Sequence, residues 1–206
     1  MNKIFLITIL AFSIGTSTYS NVYAAKAKPV KNVVKQAEKF DFRKARWGMN
    51  KSQIKSSEKI KPFFEDEGRI TYKDKMFETD VSINYFFEDK KLIKSQYLFD
   101  GTFTKGEDYI TYFRKIKKNI VEKYGKAYKD DSKELDIMEV SHYQNIVDLV
   151  QRGEQSYEII WDEPTTTVTL SLIGKNTFTP IRLFVAYNSK KLKEIDDNKE
   201  VKKSLF

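Results

Sequence analysis

Long parts of this chain carry an apolar side chain at every second position, a rhythm that suits extended strands with one buried face. Val81, Ile83, Tyr85 and Phe87 alternate with Ser82, Asn84, Phe86 and Glu88. The polar run Glu88–Lys91 separates them from Leu92 to Phe99, so the spacing predicts a hairpin. Ile70 and Tyr72 mark a shorter strand before it. The pattern returns at Tyr157, Ile159 and Trp161, and again at Val168, Leu170 and Leu172. Beyond the turn residues Gly174, Lys175 and Asn176 it reappears at Ile181, Leu183, Val185 and Tyr187. Short connections between these runs imply antiparallel pairing.

Helical spacing fills the intervals. Asn50 and Gln53 have the offset of a capping box and Met49 and Ile54 that of a hydrophobic staple, which predicts a helix from Lys51 that stops before Pro62. Ahead of it, Phe40 and Phe42 alternate with charged residues as a short strand leading to Trp47, itself expected in the core or as a plug at the helix start. Thr104 and Glu107 form a second capping pair. Ile110, Phe113, Ile116, Ile120, Val121 and Tyr124 then line one side of a helix closed by Gly125. Lys129 to Glu134 read as loop, and Val140, Tyr143, Ile146, Val147 and Val150 as a further helix ending at Gly153. The expected class is α+β: two helix-plus-three-strand units forming a largely antiparallel sheet with helices on one face.

The start of the chain bears on location. Lys3, the apolar run Ile4–Ile14 and the small-residue site Val22-Tyr23-Ala24 have the order of a signal peptide, residues 1–24. Residues 25–39 follow as a tail or short helix, 40–189 as one α+β domain and 190–206 as a charged C-terminal tail. The mature chain is expected to be secreted, to the periplasm or extracellular space, with no transmembrane segment. The absence of cysteine excludes a lipid-modified cysteine, a disulfide framework and cysteine-ligated metal. A net charge of +8 would permit anionic partners, yet acidic and basic residues are interspersed from Lys44 to Lys133, so a solvated surface is expected and nucleic acid is not.

Trp47-Gly48-Met49-Asn50-Lys51-Ser52-Gln53-Ile54 resembles a recurrent opening in uncharacterised exported bacterial proteins, where Trp-Gly-Met and a capping residue precede a short helix. Lys123-Tyr124-Gly125, the Trp161–Leu172 stretch and the strand ending at Tyr187 fit the same pattern. The paired helix-and-strands units are also similar in architecture to modules of β-lactamase inhibitor proteins and of the small lipoprotein of the outer-membrane barrel assembly machinery. The resemblance implies an exported domain that presents a sheet surface to another macromolecule without a cofactor. This chain lacks the lipid-attachment cysteine of the assembly lipoprotein and the disulfides of the inhibitor proteins.

Few residues suggest chemistry. His142, the only histidine, sits beside Tyr143 in an expected helix, so no histidine-based triad and no multi-histidine metal site is expected. The run Asp130 to Glu134 lacks the spacing of a calcium loop. Asp162 and Glu163 could serve an envelope-polymer hydrolase, although a solvated acidic turn explains them as well. No catalytic, cofactor or metal site is therefore expected, and the chain reads as a non-enzyme. Alternation sends Ser82, Asn84, Phe86, Thr167, Thr169, Ser171, Arg182, Phe184 and Ala186 to the outer sheet face. Asn84, Phe86, Thr169, Arg182 and Phe184 are the expected contacts for an envelope or extracellular protein. The alternative is adhesion to anionic lipid or polysaccharide through Lys190–Lys203 and the helix lysines Lys115, Lys117 and Lys118.

Overall fold

The computed structural model describes residues 40–100, 103, 105–174 and 181–191, so the expected signal peptide, the 25–39 tail, Thr104, the turn at Lys175 and Asn176, and the tail beyond 191 lie outside the described residues. In chain order the elements are α1 (Lys51–Ser57), β1 (Phe64–Glu65), β2 (Arg69–Met76), β3 (Thr79–Glu88), β4 (Lys91–Phe99) and α2 (Gly106–Tyr124). Then come β5 (Lys129–Asp130), α3 (Lys133–Ile137), α4 (Tyr143–Arg152), β6 (Ser156–Asp162), β7 (Thr166–Ile173) and β8 (Arg182–Ser189). All eight strands form one antiparallel sheet in the order β1-β2-β3-β4-β8-β7-β6-β5, which makes the class α+β. Both edges are strands of two residues, too short to template pairing with another chain. Among the described residues no helix is long and apolar enough to cross a membrane.

Local chemistry explains most boundaries. Asn50 Oδ1 accepts the Gln53 backbone N–H at 3.0 Å and Gln53 Oε1 accepts that of Asn50 at 2.9 Å, the reciprocal cap read from the sequence. The preceding Trp-Gly-Met is structural. Gly48 takes φ +85°, a value that favours glycine, and its N–H reaches Leu92 O at 2.9 Å while Leu92 N–H returns to Met49 O at 2.8 Å. Trp47 Nε1 donates to Thr166 Oγ1 at 2.8 Å, so this short segment ties β4 to β7.

The core joins Ile54 of α1, Ile110, Phe113, Ile116 and Ile120 of α2 and Val147 and Val150 of α4 to strand residues that include Ile83, Tyr85, Leu170 and Leu183. Trp161 is fully buried and its Nε1 donates to Gly125 O at 3.0 Å, so the ring contributes roughly 2–3 kcal/mol of burial without stranding its polar atom. Gly174 is required for space. A Cβ there would lie 2.0 Å from the Val150 carbonyl oxygen at the end of α4.

Several expectations are corrected. Phe40 and Phe42 form no strand: Phe42 and Ala45 close a tight turn through Arg43 at φ +50°, because the Phe42 ring packs on Tyr85, Tyr97 and Tyr187 at centroid distances of 5.5, 4.8 and 4.9 Å. Covering the aromatic centre of the sheet outweighs a brief strand. Helix α2 begins one residue late for the Thr104–Glu107 reading, with Asp108 Oδ2 accepting the Lys105 N–H at 3.4 Å, and Val121 stays 40% exposed. Lys129–Glu134 holds β5 and the start of α3, since Asp130 pairs with β6. Val140 lies in a 3-10 turn before α4 and is exposed. The face expected to be open is also not uniformly wet: Ser82, Asn84, Ser171 and Ala186 are buried.

Candidate functional site

Strand register builds the site. Phe64, Thr71, Asn84, Gln96, Ala186 and Thr169 stand in one row across β1, β2, β3, β4, β8 and β7. Two positions to one side, Arg69 pairs with Phe86 and Phe86 with Lys94; two positions to the other, Lys73, Ser82, Leu98 and Phe184 align. Because side chains two apart on a strand share a face, these rows form one surface. A β-bulge between Phe86 and Phe87 keeps Phe86 opposite Lys94 while Phe87 turns to meet Leu92.

The surface is concave between β1 and β8, a groove of about 380 Å³ walled by Phe63, Phe64, Leu98 and Arg182. Its floor is polar and satisfied. Thr71 Oγ1 donates to Asn84 Oδ1 at 2.8 Å, and Lys73 Nζ donates to Ser82 Oγ at 2.7 Å and to Asp100 Oδ2 at 2.8 Å, with the Ser82 hydroxyl also donating to Asp100. Above the floor cations lie over rings: Arg69 over Phe64 at 4.7 Å, Lys73 over Phe63 at 5.2 Å, Lys94 over Phe86 at 5.4 Å and Arg182 over Phe184 at 5.4 Å.

Charge balance distinguishes this face. Of those four cations only Lys73 has a carboxylate partner among the described residues, Asp100. Burial, and then the neighbouring Arg182 charge, push the Lys94 amine below its ordinary value. Arg69 Nε is buried with no hydrogen-bond acceptor. A cation over an aromatic ring gains about 0.5–1 kcal/mol at exposed sites, less than the roughly 1.5–3 kcal/mol of a charge-assisted hydrogen bond, so the groove retains capacity for an anion.

The sequence-derived contacts divide. Asn84, Phe86 and Arg182 line the groove and Phe184 carries the Arg182 guanidinium, whereas Thr169 lies one strand beyond Ala186, outside the lining. Phe63, Phe64, Arg69, Lys73, Lys94, Gln96 and Leu98 were missed. The signal for Arg69 and Lys73 was their alternation with Ile70 and Tyr72, and for Lys94, Gln96 and Leu98 their alternation with Ser95, Tyr97 and Phe99. Phe64 gave none, because a strand of two residues has no period.

A second charged cluster lies beside α1. Glu58 is buried; its Oε1 accepts Arg43 Nε at 2.8 Å and the Tyr85 hydroxyl, while Oε2 accepts Arg43 Nη2 at 3.1 Å. Burial opposes the Arg43 charge, but the bonds to Glu58 outweigh it and hold the guanidinium protonated. Burial, followed by the Glu58 bond, raises the Tyr85 hydroxyl far above its ordinary value. A cavity of about 460 Å³ adjoins this cluster, yet both Glu58 oxygens are engaged, so it locks the Phe42 turn to α1 and β3.

The remaining candidates sit in ordinary surroundings. Asp162 is exposed and pairs with Lys190 at 2.6 Å, and the Glu163 N–H closes a turn on Thr166 O at 3.0 Å. His142 is exposed at the start of α4. Lys117 is only 12% exposed and pairs with Asp130 at 2.9 Å and Asp136 at 2.5 Å, which removes it from any lysine surface on α2. Among the described residues no group of His, Cys, Asp and Glu could hold a metal ion. No protein-family model matches the chain, and neither a curated protein nor a solved structure does.

Proposed function

We propose that this chain is an exported, non-enzymatic binding domain that engages a partner of the envelope or extracellular space through the outer sheet face. In this reading two helix-plus-three-strand units join at the β4–β8 pair, the helices cover one face, and the other is left for recognition. The arrangement would be the one shared with modules of β-lactamase inhibitor proteins and the small barrel-assembly lipoprotein. The carrying observation is the groove lined by Phe86 and Arg182, where Lys94 lies over the Phe86 ring and Arg182 over the Phe184 ring with no carboxylate partner for either cation among the described residues. Aromatic and arginine side chains over a satisfied polar floor are the residues from which recognition hot spots are built.

Affinity capture from a cell-envelope extract tests the reading, with the full chain as bait and F86S/F184S as the comparison. Both rings are half-buried, so their removal is expected to cost under about 1 kcal/mol each in folding stability. Capture should fall by at least about tenfold, in line with the loss of two anchor side chains. Undiminished capture by the folded double variant would overturn the assignment of this face.

A further inference from the structure

We infer that the groove accepts an extended acidic segment of a partner polypeptide, its carboxylates meeting Arg69, Lys94 and Arg182. The inference rests on reading this face as the binding surface and adds the chemistry of the occupant. Three cations gather in and beside one concavity without a carboxylate partner among the described residues, and two of them, Lys94 and Arg182, repel each other. An anion between them would relieve that repulsion. It would also supply an acceptor to Arg69 Nε, a buried donor that has none.

Dimensions favour a strand-like ligand. From β1 to β8 the groove crosses four inter-strand spacings of about 4.8 Å, roughly 19 Å, which an extended chain rising about 3.3 Å per residue spans with about six residues. Along such a chain alternate side chains point the same way, so acidic residues at every second position would meet the cations. Apolar residues at the β1 end would find Phe63, 70% exposed, and Phe64, 41% exposed. A flat lipid surface fits less well, because Lys94 is half-buried, its amine lying over the Phe86 ring.

The test is fluorescence anisotropy with the full chain and a labelled peptide of about eight residues alternating glutamate and leucine. A glutamine–leucine peptide and vesicles of equal parts phosphatidylglycerol and phosphatidylcholine serve as comparisons. The acidic peptide should bind at least about tenfold tighter than its neutral counterpart, weaken as salt is raised, and lose about tenfold or more with R69Q/K94Q/R182Q. K94Q/R182Q repeats the comparison with Arg69 intact should the triple variant fold poorly, and should retain most of the loss. Equal binding of the two peptides, unchanged affinity in the folded variants, or binding to vesicles without binding to peptide would each overturn the acidic-polypeptide assignment. Envelope capture that F86S/F184S abolishes but K94Q/R182Q preserves would keep the face and reject its anionic occupant.

Discussion

Arg43 and Arg182 lie in regions of the molecule that treat charge in opposite ways. Beside α1, Arg43 forks onto Glu58 and also reaches Asp74 at 3.5 Å, and Tyr85 adds its hydroxyl to the same carboxylate. On the outer face, Arg182 and Lys94 rest on phenylalanine rings without a carboxylate partner among the described residues. Lys117 follows the first pattern, held by Asp130, Asp136 and Ser132. The difference separates charge that stabilises the fold from charge left to be neutralised by something else. Neutralising the first kind should destabilise the fold; neutralising the second should leave the fold alone and change what it binds.

The largest expected effect is at Glu58. E58Q removes the acceptor charge from a fork that is nearly dry on one side, and should lower the free energy of unfolding by about 2–3 kcal/mol, read from the urea midpoint at unchanged slope. A cost no greater than that of a surface substitution would erase the contrast with the groove. Asp130 sharpens it with a pH signature. Burial alone would raise its carboxyl, but bonds from Lys117 and Ser132 prevail and hold it below the usual carboxylate range. Its folded value thus lies below its unfolded one, so its contribution is present above about pH 4 and lost as pH falls through the folded value. D130N should cost about 1 kcal/mol at neutral pH, and its stability curve should converge with that of the parent on acidification. Curves that stay parallel would remove the Lys117–Asp130 pair as the cause.

The smallest stability effect is expected in the groove. The Lys94 amine titrates below its ordinary value in the fold, so its charge opposes folding at neutral pH, and that opposition fades as pH rises through the folded value. K94Q should therefore shift unfolding by no more than about 0.5 kcal/mol, in the stabilising direction. A clear loss of thermal stability would show that Lys94 serves the fold as Arg43 does.

How far the sequence reached depended on whether each feature carries a period. Strands β3, β6, β7 and β8 were legible because buried residues such as Ile83, Ile159, Leu170 and Leu183 recur at twofold spacing, and α1 because its cap has a fixed offset. The Phe42 turn was not, since what decides it is the ring cluster of Tyr85, Tyr97 and Tyr187, residues far apart in sequence. The reversal between β2 and β3 was hidden for a local reason: Phe77 and Glu78 take φ +54° and +69° where asparagine and glycine are the usual signal. Alternation put Asn84, Phe86, Arg182 and Phe184 on a common sheet face, which the strand register bears out. It could not supply strand order, and only the β3–β4–β8 adjacency brings Phe86, Lys94 and Phe184 onto neighbouring strands of one surface.

The groove is most directly tested by titrating the glutamate–leucine peptide into the isotopically labelled chain and following backbone amide shifts by NMR. The largest shifts should fall on β2, β3, β4 and the start of β8, at Arg69, Asn84, Phe86, Gln96 and Arg182, with α2 and α4 unmoved. Shifts centred instead on the lysines of α2, or none at peptide concentrations that saturate anisotropy, would contradict the assignment of recognition to this face.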